Sequence, residues 1–185
     1  MGHNLKLSVI IPVYNTAQYL DSLFNSVITQ TYKNMEIIFV DDGSSDDSPK
    51  ILKDFANRDS RVKVITKPNG GCSSSRNAGI AACSGQYITF IDGDDMFCSD
   101  EAYSTLMELI VKNDCDILKF SLTRLNTDGS ISHRVKIKHA SGVYEGEQKD
   151  KLFKAIILND GIDNSASNCI IKKEFLDNNS ILFNK

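Results

Sequence analysis

The chain has 185 residues, enough for one large domain whose core needs neither disulfide nor metal to hold it. Hydrophobic residues make up 41% and charged residues 24%, which excludes a disordered tail, a collagen-like fibre and a membrane bundle. Lys and Arg total 21 against 24 Asp and Glu, and a net charge of -3 without a basic block argues against nucleic acid as a partner.

In chain order, Leu7-Ser8-Val9-Ile10-Ile11 reads as a strand buried on both faces and stopped by Pro12. Thr16 stands where it can cap a helix with an apolar stripe of Leu20, Leu23, Phe24, Val27 and Ile28. Glu36 to Val40 is a second strand, and Asp41-Asp42-Gly43-Ser44-Ser45 reads as the loop that ends it. Pro49 suits the first turn of a second helix, from which Ile51, Leu52 and Phe55 face inward. Val62 to Ile65 is a third strand. After Pro68-Asn69-Gly70-Gly71, the serines Ser73 to Ser75 lead into a helix with Gly85 as its stop. Tyr87 to Ile91 forms a fourth strand ending in Asp92-Gly93-Asp94-Asp95, and a helix follows from about Asp100 to Lys112.

This alternation predicts right-handed β-α-β crossovers and a mostly parallel sheet flanked by helices. After Asp116 the rhythm changes: Ile117 to Leu125, an Asn126-Thr127-Asp128-Gly129 turn and Ile131 to Ile137 suggest a small antiparallel excursion. A helix near Gln148 to Leu158 and a strand near Asn168 to Ile171 close the chain, and the expected organisation is a single α/β domain over 1–185. Cys72, Cys83, Cys98, Cys115 and Cys169 show no C-x-x-C pair and no metal spacing with His3, His133 or His139. They read as reduced, mostly buried thiols of a cytoplasmic protein. No signal peptide or transmembrane run is visible.

Ligands of an open parallel sheet sit outside the carboxyl ends of its strands. There this chain places Pro12-Val13-Tyr14-Asn15, Asp41-Asp42-Gly43-Ser44 and Asp92-Gly93-Asp94-Asp95. Carboxylates crowded on neighbouring strand ends repel unless a cation or ligand donors intervene, and hard ions such as Mg²⁺ or Mn²⁺ suit them. Asx turns and caps explain either acidic cluster alone. An EF-hand fails because its twelfth position is Tyr103, and no phosphate-binding Gly-rich loop follows the first strand. A receiver domain would want its acid pair where Pro12-Val13-Tyr14 stands.

Ser8-Val9-Ile10-Ile11-Pro12-Val13-Tyr14-Asn15, Gln30-Thr31-Tyr32, Val40-Asp41-Asp42-Gly43-Ser44, Ser75-Arg76-Asn77-Ala78-Gly79 and Phe90-Ile91-Asp92-Gly93-Asp94-Asp95 occur in that order. Together they resemble the inverting glycosyltransferase family 2 with its GT-A fold, closely over roughly 5–125 and loosely beyond. The resemblance implies a nucleotide-sugar-binding half over 5–115 and an acceptor-side half over 116–185. It implies a nucleotide-diphosphate sugar, UDP-linked, as donor and a glycan or lipid-linked acceptor. Pro12 and Tyr14 would wall the base, with Tyr14 stacked on it, and Asn15 and Gly93 would belong to the same nucleotide site. Asp41 would accept the base N–H, and Asp42 would cap a loop or helix. Arg76 would meet the diphosphate, or else be a surface cation. Asp92 would meet the ribose or the metal's water shell, and Asp94 would ligate Mn²⁺ or Mg²⁺. Asp95 would support the metal site from behind its ligands or cap the next helix.

The resemblance also implies a carboxylate base in a Glu-Asp pair, typically placed just after a segment like Ser180 to Asn184. No such pair occurs in the sequence, so the base is expected beyond Lys185 and the chain to be a fragment of a longer enzyme. A nucleotide-sugar-binding fragment without catalysis is the alternative. A nucleotidyltransferase is a weaker one, since it would want a Gly-rich loop after the first strand. The resemblance also fits a cytoplasmic protein whose full-length form associates peripherally with the inner face of a membrane, in surface-polysaccharide assembly. Ser167 stands where relatives often carry Trp before Asn168, so the acceptor-side wall is expected to differ.

Overall fold

A computed structural model of the chain describes residues 5–121, 123–125, 130–133, 142, 145–148 and 166–184. Apolar runs without alternation make strands buried on both faces: β1 (Leu7–Val13) and β2 (Met35–Asp41) are buried at every position, as is β4 (Tyr87–Phe90). β3 (Val62–Thr66) is partly exposed at the edge beyond β2. Between the strands run α1 (Ala17–Ile28), α2 (Ser48–Arg58) and α3 (Gly71–Ala82), and α4 (Ala102–Asn113) follows β4.

The main sheet has the order β3-β2-β1-β4-β8-β5, with β5 at Ile117–Lys119 and β8 at Cys169–Lys172. β3, β2, β1 and β4 are parallel, whereas β8 runs antiparallel between β4 and β5. A 3-10 turn at Ala166–Asn168 leads into β8, and α5 (Lys173–Asn178) leaves it. Helices cover both faces. Leu20, Phe24, Phe55, Tyr103 and Met107 of α1, α2 and α4 pack with Val9, Ile11, Ile37 and Phe39. On the other face Ile80 of α3 and Leu176 of α5 pack with Ile10, Ile38, Ile88 and Phe90. This is the expected α/β arrangement, and the fold is GT-A. Phe24 and Phe55 stack at 3.9 Å between centroids and lock α1 to α2.

The expected antiparallel excursion is present as β6 (Thr123–Leu125) paired with β7 (Ile131–His133), but Ile117–Lys119 belongs to the main sheet instead. The turn expected at Asn126 to Gly129 lies outside the described residues, as does all but Gln148 of the helix expected to reach Leu158. No helix among the described residues is long and apolar enough to cross a membrane.

Several local expectations are corrected by partners distant in sequence. Pro12 does not stop β1, which runs on to Val13 paired with Asp41. Ile10 turns its carbonyl toward the β4 side, where Ile91 donates to it, so Pro12 turns its missing donor to that side too, beyond the end of β4. Thr16 makes no capping hydrogen bond; the Asp46 carboxylate accepts from Ala17 N at 3.0 Å in its place. Gly85 is not a helix stop, since α3 ends at Ala82. It is required because a Cβ there would meet Ser8 Oγ at 2.5 Å and Lys6 O at 2.7 Å. Ser73 to Ser75 lie inside α3, which starts at Gly71. Asp95 caps no helix, because α4 begins only at Ala102. The thiols are not mostly buried: Cys83 and Cys169 are, Cys115 is half-buried, and Cys72 and Cys98 are exposed.

Candidate functional site

From β1 the chain moves outward to β2 and β3, then returns to place β4 on the other side of β1. Crevices open at the carboxyl ends of strands where the order reverses in this way. Here a cleft of about 500 Å³ opens between Pro12-Val13-Tyr14, the start of α3, and Asp92-Gly93-Asp94.

Tyr14 is 52% exposed, leaving its ring face open to the cleft. It is aimed by Asn15, which holds a left-handed φ of 51° and does not itself line the cleft. Asn15 Oδ1 accepts from Ser45 N at 2.8 Å, and Asn15 N donates to Ser44 Oγ at 3.1 Å. Asn15, expected among the nucleotide contacts, thus ties the β1–α1 loop to the β2–α2 loop. Gly93 lines the cleft as expected, and its lack of a side chain has a reason: a Cβ would meet Pro12 O and Thr16 Oγ1, both at 3.0 Å.

The two acids after Val40 point apart because the pleat alternates. Asp41, buried, shares the face of Ile37 and Phe39; its Oδ1 accepts from Ser44 N at 3.0 Å, and its Oδ2 has no partner. Asp42 lines the cleft, and Asp41 does not. Asp42 accepts from Gly71 N at 2.7 Å and Gly70 N at 3.0 Å and pairs with Lys67, so it caps α3 as expected, from a distant loop. Burial alone would push the Asp42 carboxyl up, but the Lys67 ammonium and the Gly70 and Gly71 amides outweigh it and hold it below the usual range.

Arg76, on the second turn of α3, reaches across the cleft, and its Nη2 donates to Asp92 Oδ1 at 2.7 Å. Ser167 Oγ donates to the other oxygen, Asp92 Oδ2, at 3.2 Å. Arg76 Nε is buried without a partner. Asp94 is exposed at the rim. Among the described residues no three His, Cys, Asp or Glu side chains gather as a closed metal cage. Two carboxylates facing an open cleft nevertheless fit Mg²⁺ or Mn²⁺, which keep several waters and complete their shell with phosphates.

The chain is matched over residues 8–179 by the model of the family described as "Glycosyl transferase family 2". It belongs to that family. Glycosyltransferase GlyA of Streptococcus pneumoniae serotype 4 is 46% identical over 112 residues, covering 60% of this chain and 16% of that protein. The chain spans well under half the length of the curated relatives it matches. The solved structure of S. aureus TarS 1-349 in complex with UDP-GlcNAc superposes with a TM-score of 0.77 and 24% identity, covering 97% of this chain and 49% of that one. The mannosyltransferase PcManGT of Pyrobaculum calidifontis, in complex with GDP-Man and Mn²⁺, superposes with a TM-score of 0.61 at 16% identity, over 66% of this chain and 36% of that one.

The structure thus brings Pro12, Tyr14, Arg76, Asp92, Gly93 and Asp94 together, and sets Asn15 and Asp41 just behind them. Asn69, Gly71, Cys72 and Ser75 also line the cleft and were not singled out from the sequence. The Gly70-Gly71 pair before a helix was the available signal, since a cleft-facing helix N-terminus exposes amides that suit anions. Ser167 is a direct partner of Asp92, and nothing in the sequence announced a contact 75 residues away.

Proposed function

We propose that the cleft binds the nucleotide diphosphate of a UDP-sugar, and that the chain serves as the donor-binding part of an inverting, metal-assisted glycosyltransferase. One observation carries this reading: at the strand-order reversal, the open aromatic wall of Pro12 and Tyr14 faces the Arg76–Asp92 pair and Asp94 across a single cleft. Tyr14 offers a stacking face to the base. An approach of the base N–H to Asp41 would need that carboxylate to turn, since it is buried and does not line the cleft. Arg76 turns a charge-assisted fork toward the diphosphate, with its unpartnered Nε as a spare donor. The α3 N-terminus, with its charge already offset by Asp42, presents the Gly71 end of the helix to the same space.

Asp92 and Asp94 are the residues that would hold Mn²⁺ or Mg²⁺. Such an ion, when bound, supplies Lewis acidity to the leaving diphosphate. In the inverting transfer an acceptor hydroxyl of a glycan or lipid-linked sugar bonds to the anomeric carbon as the bond to diphosphate breaks. The hydroxyl proton passes to a carboxylate base. The bound sugar nucleotides of TarS and PcManGT are in keeping with this reading. Calorimetric titration with UDP and with uridine tests it: binding of both, with UDP the tighter, is expected. A chain that binds neither is not a donor site.

A further inference from the structure

We propose that Asn77 and Phe183 are positioning residues that hold the Arg76 guanidinium in the cleft, so that the segment ending the chain forms the back of the donor site. The inference rests on the donor-site reading above. Three contacts carry it. Asn77 grips the backbone of Phe183 from both sides: Asn77 Nδ2 donates to Phe183 O, and Phe183 N donates to Asn77 Oδ1, each at 2.9 Å. The Phe183 ring stands edge-on to Phe90 of β4, with centroids 5.2 Å apart and planes at 85°. The guanidinium carbon of Arg76 then lies 5.3 Å from the centroid of that ring, within cation–π range.

The consequence follows from geometry. Arg76 is a long side chain with large rotamer freedom, and only its Nη2 bond to Asp92 lies on the cleft side. Asp92 is itself the group expected to turn toward ribose or metal when donor binds, which would release that bond. The Phe183 face lies behind the guanidinium and needs no exchange, so it keeps the fork aimed while Asp92 changes partners. The reciprocal hydrogen bonds of Asn77 fix where that face sits, because they hold backbone atoms and leave the ring no sideways travel. Asn77 follows Arg76 directly on α3, so one helix turn carries both the phosphate fork and the clamp that fixes its backing.

The test compares UDP with uridine on the chain itself, because only UDP carries the diphosphate that Arg76 meets. Without divalent metal, Arg76→Ala is expected to erase most of the margin by which UDP outbinds uridine. Phe183→Leu and Asn77→Ala are each expected to weaken UDP by about tenfold while uridine affinity stays the same. In the Arg76→Ala background neither is expected to cost anything further. Phe183→Tyr, which keeps the ring face, is expected to retain wild-type UDP affinity. Asn77→Ala keeps the ring and carries the test alone if Phe183→Leu fails to fold. Equal losses for UDP and uridine, no loss for either, or a full loss without Arg76 would each overturn the positioning role. A wild-type chain that binds no UDP overturns the donor-site reading itself, and this inference with it.

Discussion

The two ends of the sheet treat buried charge in opposite ways. At the amino end Glu36, 2% exposed, accepts from Ser8 Oγ at 2.7 Å, Ser84 N at 2.6 Å, Ser84 Oγ at 2.9 Å and Lys63 Nζ at 2.6 Å. Lys6 adds a longer ion pair at 3.5 Å. Every lone pair there is spoken for, and the cluster ties β1, β2, β3 and the end of α3 together. At the carboxyl end Arg76 Nε, beside the cleft, is buried without a partner among the described residues, and Asp94 stands open at the cleft rim. A satisfied cluster stabilises; an unsatisfied one stores polar capacity for a ligand. The amino end therefore belongs to folding, and the carboxyl end carries the proposed donor site.

Changes at the amino end should cost stability and spare affinity. Glu36→Ala leaves Ser8 and the Ser84 amide without their acceptor, and chemical denaturation should read a loss of about 3 kcal/mol. UDP affinity should stay at the wild-type value wherever both proteins are folded; a drop in affinity would break the division. Acid probes the same group. Burial alone would raise the Glu36 carboxyl, but the bonds from Lys63, Ser8 and Ser84 win and lower it from 4.5 to about 2. A lowered value means stabilisation that is present above pH 4.5 and is lost as pH falls from there toward 2. Denaturation midpoints across that window should fall, by at most about 3 kcal/mol of stability, and Glu36→Gln should flatten this part of the profile.

Two glycines sharpen the contrast at smaller cost. Gly85→Ala would press a Cβ against Ser8 Oγ at 2.5 Å and the backbone atoms Lys6 O and Ser8 N at 2.7 and 2.8 Å, and should cost about 1–3 kcal/mol, read as a lowered Tm, with UDP affinity unchanged. Gly93→Ala meets Pro12 and Thr16 only at 3.0 Å, so it should shift Tm less yet weaken UDP. The smallest structural effect belongs to Tyr14→Ala, within about 0.5 kcal/mol of wild-type stability because the ring is half exposed. It should weaken uridine and UDP by the same factor, about tenfold, since stacking does not involve phosphate.

What could be read from the sequence followed how local each cause was. Strands β1, β2 and β4 announced themselves because runs such as Val9-Ile10-Ile11 have no polar face to offer solvent. Asp92 and Asp94 were legible because they end such a run. The passage of β1 through Pro12 depends on where β4 stops, at Phe90, and the capping of α1 by Asp46 depends on a loop 29 residues away. Neither has a local signature. The insertion of β8 between β4 and β5 is of the same kind, as is the bond from Ser167 to Asp92. The separation of Asp41 from Asp42 is different. Alternation along β2 puts Asp41 in the register of Ile37 and Phe39, so the sequence already held that information.

We propose above that the carboxyl-end cleft is a nucleotide-diphosphate site completed by a cation at Asp92 and Asp94. It is tested most directly by titrating UDP into the chain and into Asp94→Ala, each with and without Mn²⁺. Mn²⁺ is expected to tighten UDP binding to the wild type, Asp94→Ala to abolish this gain, and uridine to bind both proteins alike. UDP affinity that responds to Mn²⁺ equally with and without the Asp94 carboxylate would contradict it.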